Sequence, residues 1–143
     1  MTGVSPAYFI SRYTDRFTPA DVSEGLIEIA ELEFQQFQLE VFHAETLADW
    51  INSGSLQVRQ RSGDLGLRPS QFVAHFMLNA FSSTASVMSD AAFTEIDSVL
   101  EIVERFEHCS IVTIPLGAFD AQQIVRRDNY RAQIGRASCR ERV

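Results

Sequence analysis

Apolar residues recur every three or four positions in two long stretches of the chain, a spacing typical of amphipathic helices. The clearest stretch runs from Asp90 to Phe106, with acidic residues lying off its apolar face. The second begins at Thr18, where a threonine cap and Asp21 form a capping-box pattern around Pro19, and it continues to about Gln35. Both stretches are therefore predicted to be helices.

Shorter stretches carry the same apolar spacing or a helix-start signal, so about five or six helices are expected in all. These shorter predicted helices run from Ser5 to Tyr13, from Ala44 to Asn52, from Pro69 to Ala80 and from Phe119 to Ala132. Gly54 is expected to end the helix that starts at Ala44, because glycine readily adopts the left-handed conformation that closes many helices.

Alternation of polar and apolar residues predicts the strands. Residues 110–114 form the clearest strand, because they are short, β-branched and stopped by Pro115. Residues 56–61 alternate as well and lead into a turn-forming Ser-Gly-Asp sequence at 62–64. They are therefore predicted to form a hairpin with residues 65–67.

Residues 36–43 have two interpretations. Phe37, Leu39 and Val41 alternate with polar residues, which favours a half-buried strand. Phe37 also continues the helical spacing of the preceding residues, so helix remains the alternative for this segment. Taken together, the elements predict an α+β fold with a small sheet of short strands in a single domain.

The charge balance is acidic and unusual in its cations. The chain of 143 residues has 12 Lys+Arg and 19 Asp+Glu, a formal net charge of −7, and every one of its basic residues is arginine. The absence of lysine excludes a phosphate-loop lysine and a Schiff-base lysine from this sequence. The negative excess disfavours broad contact with phosphate backbones.

The last ten residues, Ile134 to Val143, match the in-frame translation of a synthetic sequencing-library adapter. We therefore expect the informative natural sequence to stop at about Gln133 and the true C-terminus to be missing. On this interpretation residues 1–133 form one acidic α+β domain that need not be complete. Residues 134–143 are expected to pack loosely, because nothing selected them to fit the core.

Cysteine usage indicates a reducing compartment. Cys139 lies in the adapter-like tail, which leaves Cys109 as the only cysteine of the domain. A lone cysteine forms no internal disulfide, and the N-terminal residues lack the pattern of a secretion signal. A cytoplasmic location is therefore predicted, with no membrane association because no long apolar run is present.

No catalytic or metal-binding motif stands out. His43, His75 and His108 are far apart and show no ligand spacing, and His108 is adjacent to Cys109. The hydroxyl-rich residues 82–86 lack the flanking glycines that present a nucleophilic serine. Ordinary structural roles are predicted for these residues, with no catalytic residue, metal or cofactor.

The segment from Thr46 to Arg61 resembles part of excisionase-like winged-helix proteins. The likeness is carried by a Trp-Ile-Asn-Ser-Gly-Ser-Leu run at residues 50–56, followed by a basic stretch. It implies a recognition helix and a hairpin wing that bind DNA. In this resemblance Arg59, Arg61 and Arg68 would reach phosphate or the minor groove.

A second, shorter likeness concerns the stretch from Leu39 to His43, followed by a helix and a Gly-x-Leu sequence at residues 54–56. This order is similar to the opening of some ADP-ribosyltransferases. The resemblance implies that His43, at the end of the first strand, holds the nicotinamide ribose of NAD.

The leading interpretation is a non-catalytic acidic domain that binds a protein partner. Arginine suits such contacts, because it forms bidentate pairs and stacks on aromatic rings. Arg59, Arg61 and Arg68 are the candidate contact residues for this partner or for nucleic acid. DNA binding by a winged helix and ADP-ribosyltransferase activity are the two alternatives.

Overall fold

The computed structural model describes residues 2–81, 85–86, 89 and 91–115. Four strands form one sheet whose order in space is their order in the chain, and all three neighbouring pairs are parallel. The strands are β1 (Gly3–Val4), β2 (Gln36–Val41), β3 (Arg68–Ala74) and β4 (Val112–Thr113). The predicted α+β class with a small sheet of short strands is confirmed. The sequence did not predict that every pair of strands would be parallel.

Helices connect each strand to the next, as parallel strands require. They are α1 (Ala7–Tyr13), α2 (Pro19–Glu31), α3 (Leu47–Asp49), α4 (Ser55–Asp64) and α5 (Ala91–Val103). Short 3-10 helices at Ala44–Thr46 and His75–Phe81 and a π-helical turn at Trp50–Gly54 complete the described connections.

Helix α2 begins as its sequence predicts. The Thr18 hydroxyl accepts a hydrogen bond from the Asp21 amide at 3.4 Å, and the Asp21 carboxylate accepts one from the Thr18 amide at 2.7 Å. This reciprocal pair satisfies two amides that the first helical turn leaves free. The helix ends at Glu31, earlier than predicted, and Glu33 then adopts a left-handed φ of 61°.

The predicted hairpin at residues 56–67 is wrong, because residues 55–64 form helix α4. Gly54 does not close the preceding helix, since its φ of −62° and ψ of −44° are right-handed helical values. The helical path instead continues through the π-helical turn from Asp49 into α4. A Cβ at Gly54 would lie 2.3 Å from Cγ of Pro19, so the glycine permits close approach to α2.

The predicted helix at residues 69–80 is also wrong, because its first half is strand β3. Pro69 pairs with Phe37 and Gln71 pairs with Gln38, which leaves Ser70 as an extra residue in a β-bulge. The bulge breaks the polar–apolar alternation of the strand and therefore conceals it from pattern analysis. A 3-10 helix replaces the second half of the predicted helix.

Other predicted elements agree with the structure over shorter spans. Of the two interpretations of residues 36–43, strand and helix, the strand is correct over residues 36–41. The predicted strand at 110–114 is present as β4, and the predicted helix at 90–106 is present as α5. The predicted helix at 119–132 and the adapter-like residues 134–143 lie outside the described residues.

One face of the sheet forms the core. Phe37, Leu39 and Val41 of β2 are fully buried together with Phe72 and Ala74 of β3. Because side chains alternate along a strand, the residues between them point to the opposite face. That opposite face is called the open face below, and its central residues are Gln36, Gln38, Glu40, Gln71 and Val73.

Arg105, just beyond α5, stabilises the π-helical turn. Its guanidinium donates to the carbonyl oxygen of Ile51 at 2.6 Å and to the hydroxyl of Ser55 at 2.6 Å. The bond to Ile51 gives a backbone carbonyl a strong partner at the point where α-helical bonds change to π-helical ones. Trp50 in the same turn is fully buried. No helix among the described residues is long and apolar enough to cross a bilayer.

Candidate functional site

Polar and aromatic side chains meet where β2 and β3 end. Glu40 is the last but one residue of β2, Phe42 follows that strand, and His75 directly follows β3. Strand alternation places these three side chains on the open face. Ligand sites in parallel sheets occur at the carboxyl ends of the strands, so we name Glu40, Phe42, His43 and His75 the strand-end cluster.

Glu40 is the most unusual residue of the strand-end cluster. It is only 5% exposed, and its Oε1 atom lies 3.3 Å from Nδ1 of His75. Its Oε2 atom is buried and has no hydrogen-bond partner among the described residues. Burial raises the pKa of the Glu40 carboxyl from 4.5 to about 7. The group is therefore poised to gain or lose a proton near neutral pH.

His75 connects this buried carboxyl with the surface. Its ring stacks on Phe42 with centroids 4.0 Å apart and an angle of 12° between the planes, which fixes the orientation of the imidazole. The His75 side chain is 34% exposed. A molecule at the strand ends would therefore meet a held imidazole and, behind it, a carboxyl group of raised pKa.

His43 also contacts Phe42, with the two ring centroids 5.1 Å apart and the ring planes tilted by 60°. Its Nε2 atom is 2.9 Å from Oδ2 of Asp15, in the connection between α1 and α2. This hydrogen bond holds the pKa of the Asp15 carboxyl below its ordinary value. The resemblance to ADP-ribosyltransferases implies that His43 holds a ribose, whereas here one ring nitrogen is engaged by Asp15.

The structure separates the three arginines singled out in the sequence. Arg59 and Arg68 line one groove of about 800 Å³, near the start of β3 and so at the opposite edge of the sheet from Glu40. Arg61 lines a neighbouring groove against α2. Arg59 also lies 3.3 Å from Glu107, both being exposed. Because α4 replaces the predicted hairpin, Arg59 and Arg61 lie on a helix and not on a wing.

Cys109 is buried, and burial raises the pKa of its thiol to about 11. Such a thiol is almost entirely protonated near neutral pH and is a poor nucleophile. Within the part of the chain that the structure describes, no three His, Cys, Asp or Glu side chains are grouped to hold a metal ion.

Glu40 is not among the candidate residues that the sequence predicts, and His75 is predicted to be an ordinary structural residue. One sequence feature does point to Glu40, because it is a charged residue within the alternating segment 36–41. Pairing it with His75 required knowing that residues 68–74 form the neighbouring parallel strand, and that segment was predicted as a helix.

Comparison with known proteins supplies no relative from which a function could be transferred. The chain matches no protein-family model, no curated protein and no solved structure.

Proposed function

We propose that the strand-end cluster binds a small polar molecule and transfers a proton to or from it, with Glu40 as the acid–base group. The observation that carries this proposal is the buried Oε2 atom of Glu40, which has no hydrogen-bond partner among the described residues. An unpaired buried polar atom costs about 1–3 kcal/mol, so its retention at a strand end favours a role in binding or catalysis.

The neighbours of Glu40 support the assignment of roles. Nδ1 of His75 lies 3.3 Å from Oε1 of Glu40 and would orient the carboxyl group. Oε2 is buried, so a ligand would have to enter the strand-end cluster past His75 to reach it. General acids and bases work best when their pKa lies near the working pH. His75 is therefore a positioning residue in this proposal, and Phe42 keeps its ring in plane.

A ligand screen at pH 7.5 tests the proposal. The chain, Glu40→Gln and the exposed control Glu24→Gln are heated with a panel of small hydroxy and oxo compounds and NAD. At least one compound should raise the unfolding temperature of the chain and of Glu24→Gln by about 2–4 °C, with a smaller effect on Glu40→Gln. Incubation of that compound in D₂O should exchange a carbon-bound proton, detected by NMR.

Equal stabilisation of all three proteins, or deuterium exchange that survives in Glu40→Gln, would count against Glu40 as the acid–base group. NAD belongs in the panel because the likeness around His43 implies it. Stabilisation by NAD that is lost in His43→Ala and retained in Glu40→Gln would favour the ADP-ribosyltransferase hypothesis instead.

Binding of a protein partner through Arg59 and Arg68 is the second candidate. It is supported by the shared groove of about 800 Å³ that these side chains line. We expect an immobilised chain to retain a partner that Arg59→Ala/Arg68→Ala loses. Arg16→Ala, an exposed cation that pairs with Glu45, serves as the control and should retain it.

A mobility shift with DNA at increasing salt distinguishes DNA binding, as in the winged-helix hypothesis, from binding of a protein partner. DNA binding that weakens steeply with salt, and that Arg59→Ala/Arg61→Ala abolishes, would replace a protein partner by nucleic acid. Retention of the same partner by Arg59→Ala/Arg68→Ala would remove this groove as the contact surface.

A further inference from the structure

The order of the strands restricts how the sheet can be completed. Each strand from β1 to β4 lies parallel to the next one in the chain, with helices in the connections. Crossover connections between parallel strands are right-handed in nearly all proteins. Repeated steps in one direction therefore place every connecting helix on the same face of the sheet.

The opposite, open face agrees with this geometry. Val73, the apolar residue at the centre of this face, lies outside the hydrophobic core that the described residues form, and Gln38 and Gln71 beside it are half-buried. Thr113 of β4 continues the same polar face, with its hydroxyl 3.5 Å from the Gln71 side chain. Parallel sheets are ordinarily covered on both faces, so a parallel sheet with helices on one side alone is incomplete.

Two arrangements of parallel strands leave neither face of the sheet uncovered. In a doubly wound sheet the strand order reverses, so helices reach both faces. No reversal occurs among β1 to β4. In a (β/α)8 barrel the strands keep chain order, the helices lie outside, and the opposite face becomes the interior. The strand order described here fits the barrel.

We propose that β1 to β4 are the first half of an eight-stranded (β/α) barrel, closed by strands from chain that follows Gln133 in the natural protein. The occupant of the open face is thus a continuation of the same polypeptide. The next unit would add beside β4, the last strand in the order of the described sheet. Residues 116–143 number 28, and one strand–helix–strand unit takes about 30, so they cannot supply four more strands.

Chain length supports this occupant over a second copy. Four strands and their connections occupy residues 3–113, and two such halves approach the roughly 250 residues of a typical barrel. The adapter-like sequence from Ile134 would interrupt the natural frame inside the second half. In the closed barrel, Glu40 and His75 would lie inside, at the carboxyl ends of the strands. The barrel follows from the order and direction of the strands and does not depend on the proposed chemistry of Glu40 and His75.

Sequencing the source DNA past the codon for Gln133 is the first test. The expected result is an open frame of at least about 100 further codons that encodes four more alternating strand and helix patterns. A stop codon within about 30 codons would overturn the proposal, because one unit cannot close the barrel.

Thiol labelling then measures how accessible the open face is to solvent. Gln38→Cys is placed in the 143-residue chain carrying Cys139→Ser and in the continued protein, and Gln57→Cys on the exposed side of α4 is the control. Buried Cys109 gives little background. Gln38→Cys, half-buried in the short chain, should react on the order of 10-fold more slowly in the continued protein, where labelling would require local opening, and Gln57→Cys equally in both.

Equal labelling of Gln38→Cys in the short and the continued protein would overturn barrel closure. Slow labelling in the short chain, together with a dimeric mass and an early stop codon, would assign the open face to a second copy. Neither result depends on Glu40, since labelling reports coverage of the sheet and not proton transfer.

Discussion

Gly54→Ala should lower the free energy of unfolding by about 3 kcal/mol, because the new methyl group has no space. An added Cβ would lie 2.3 Å from Cγ and 2.5 Å from Cβ of Pro19, and 2.7 Å from the carbonyl oxygen of Asp49. A proline ring and a backbone carbonyl cannot rotate away as a flexible side chain would. Urea denaturation followed by circular dichroism measures the loss.

Gly63→Ala is the matched control for this substitution. Gly63 lies in helix α4, and a Cβ there would meet nothing within 4 Å. Alanine should therefore stabilise the chain by about 0.5–1 kcal/mol through its better helix propensity. Equal effects of the two substitutions would show that α2 and the π-helical turn do not approach closely at Pro19.

Glu40→Gln should stabilise the chain by about 2–3 kcal/mol above pH 7 and by almost nothing below pH 4.5. The pKa of the Glu40 carboxyl rises from 4.5 to about 7 on folding, because burial disfavours its charged form. Between these values the folded chain binds more protons than the unfolded chain. Its stability therefore falls as the pH rises from about 4.5 to about 7, and the glutamine variant escapes this loss.

Urea denaturation from pH 4 to pH 8 checks the expected pH dependence, with Glu24→Gln, which replaces an exposed glutamate, as the control. A difference between Glu40→Gln and the unsubstituted chain that stays constant over this range would mean that folding does not shift the ionisation of Glu40. In that case the proposed acid–base role would lose its principal support.

Local signals in the sequence were sufficient for some elements. Helices α2 and α5 were predicted because their apolar periodicity is long, and in α2 the pattern formed by Thr18 and Asp21 reports the start directly. Strand β4 was predicted from its β-branched residues. In each case the information lies within a few residues of the element, which is where pattern analysis works best.

The errors arose where a distant contact decides the local structure. Gly54 has the sequence appearance of a helix stop, but its lack of a side chain serves contact with Pro19, 35 positions earlier in the chain. Ser70 bulges out of β3 and spoils the alternation that identifies a strand. Neither effect can be read from neighbouring residues, because both depend on what packs against them.

The candidate site was beyond sequence analysis for a related reason. Glu40 and His75 are 35 positions apart and belong to no motif. They meet because β2 and β3 run parallel with a fixed register, in which Glu40 lies opposite Val73. Only the strand pairing brings the carboxyl and the imidazole to the same edge of the sheet.

The bulge at Ser70 adds one residue to β3 without changing which side chains face the core. Pro69 and Phe72 are three positions apart, yet both are buried, because the extra residue reverses the phase of the strand. Deleting Ser70 would make the strand regular, and Pro69, Gln71 and Phe72 would keep both their partners on β2 and their present faces. What would be lost is the contact of the bulge itself, in which the Ser70 hydroxyl donates to the carbonyl oxygen of Phe37 at 3.3 Å. The two faces of the sheet should therefore tolerate removal of this residue, whereas an insertion or deletion elsewhere in β3 would turn the side chains beyond it to the opposite face.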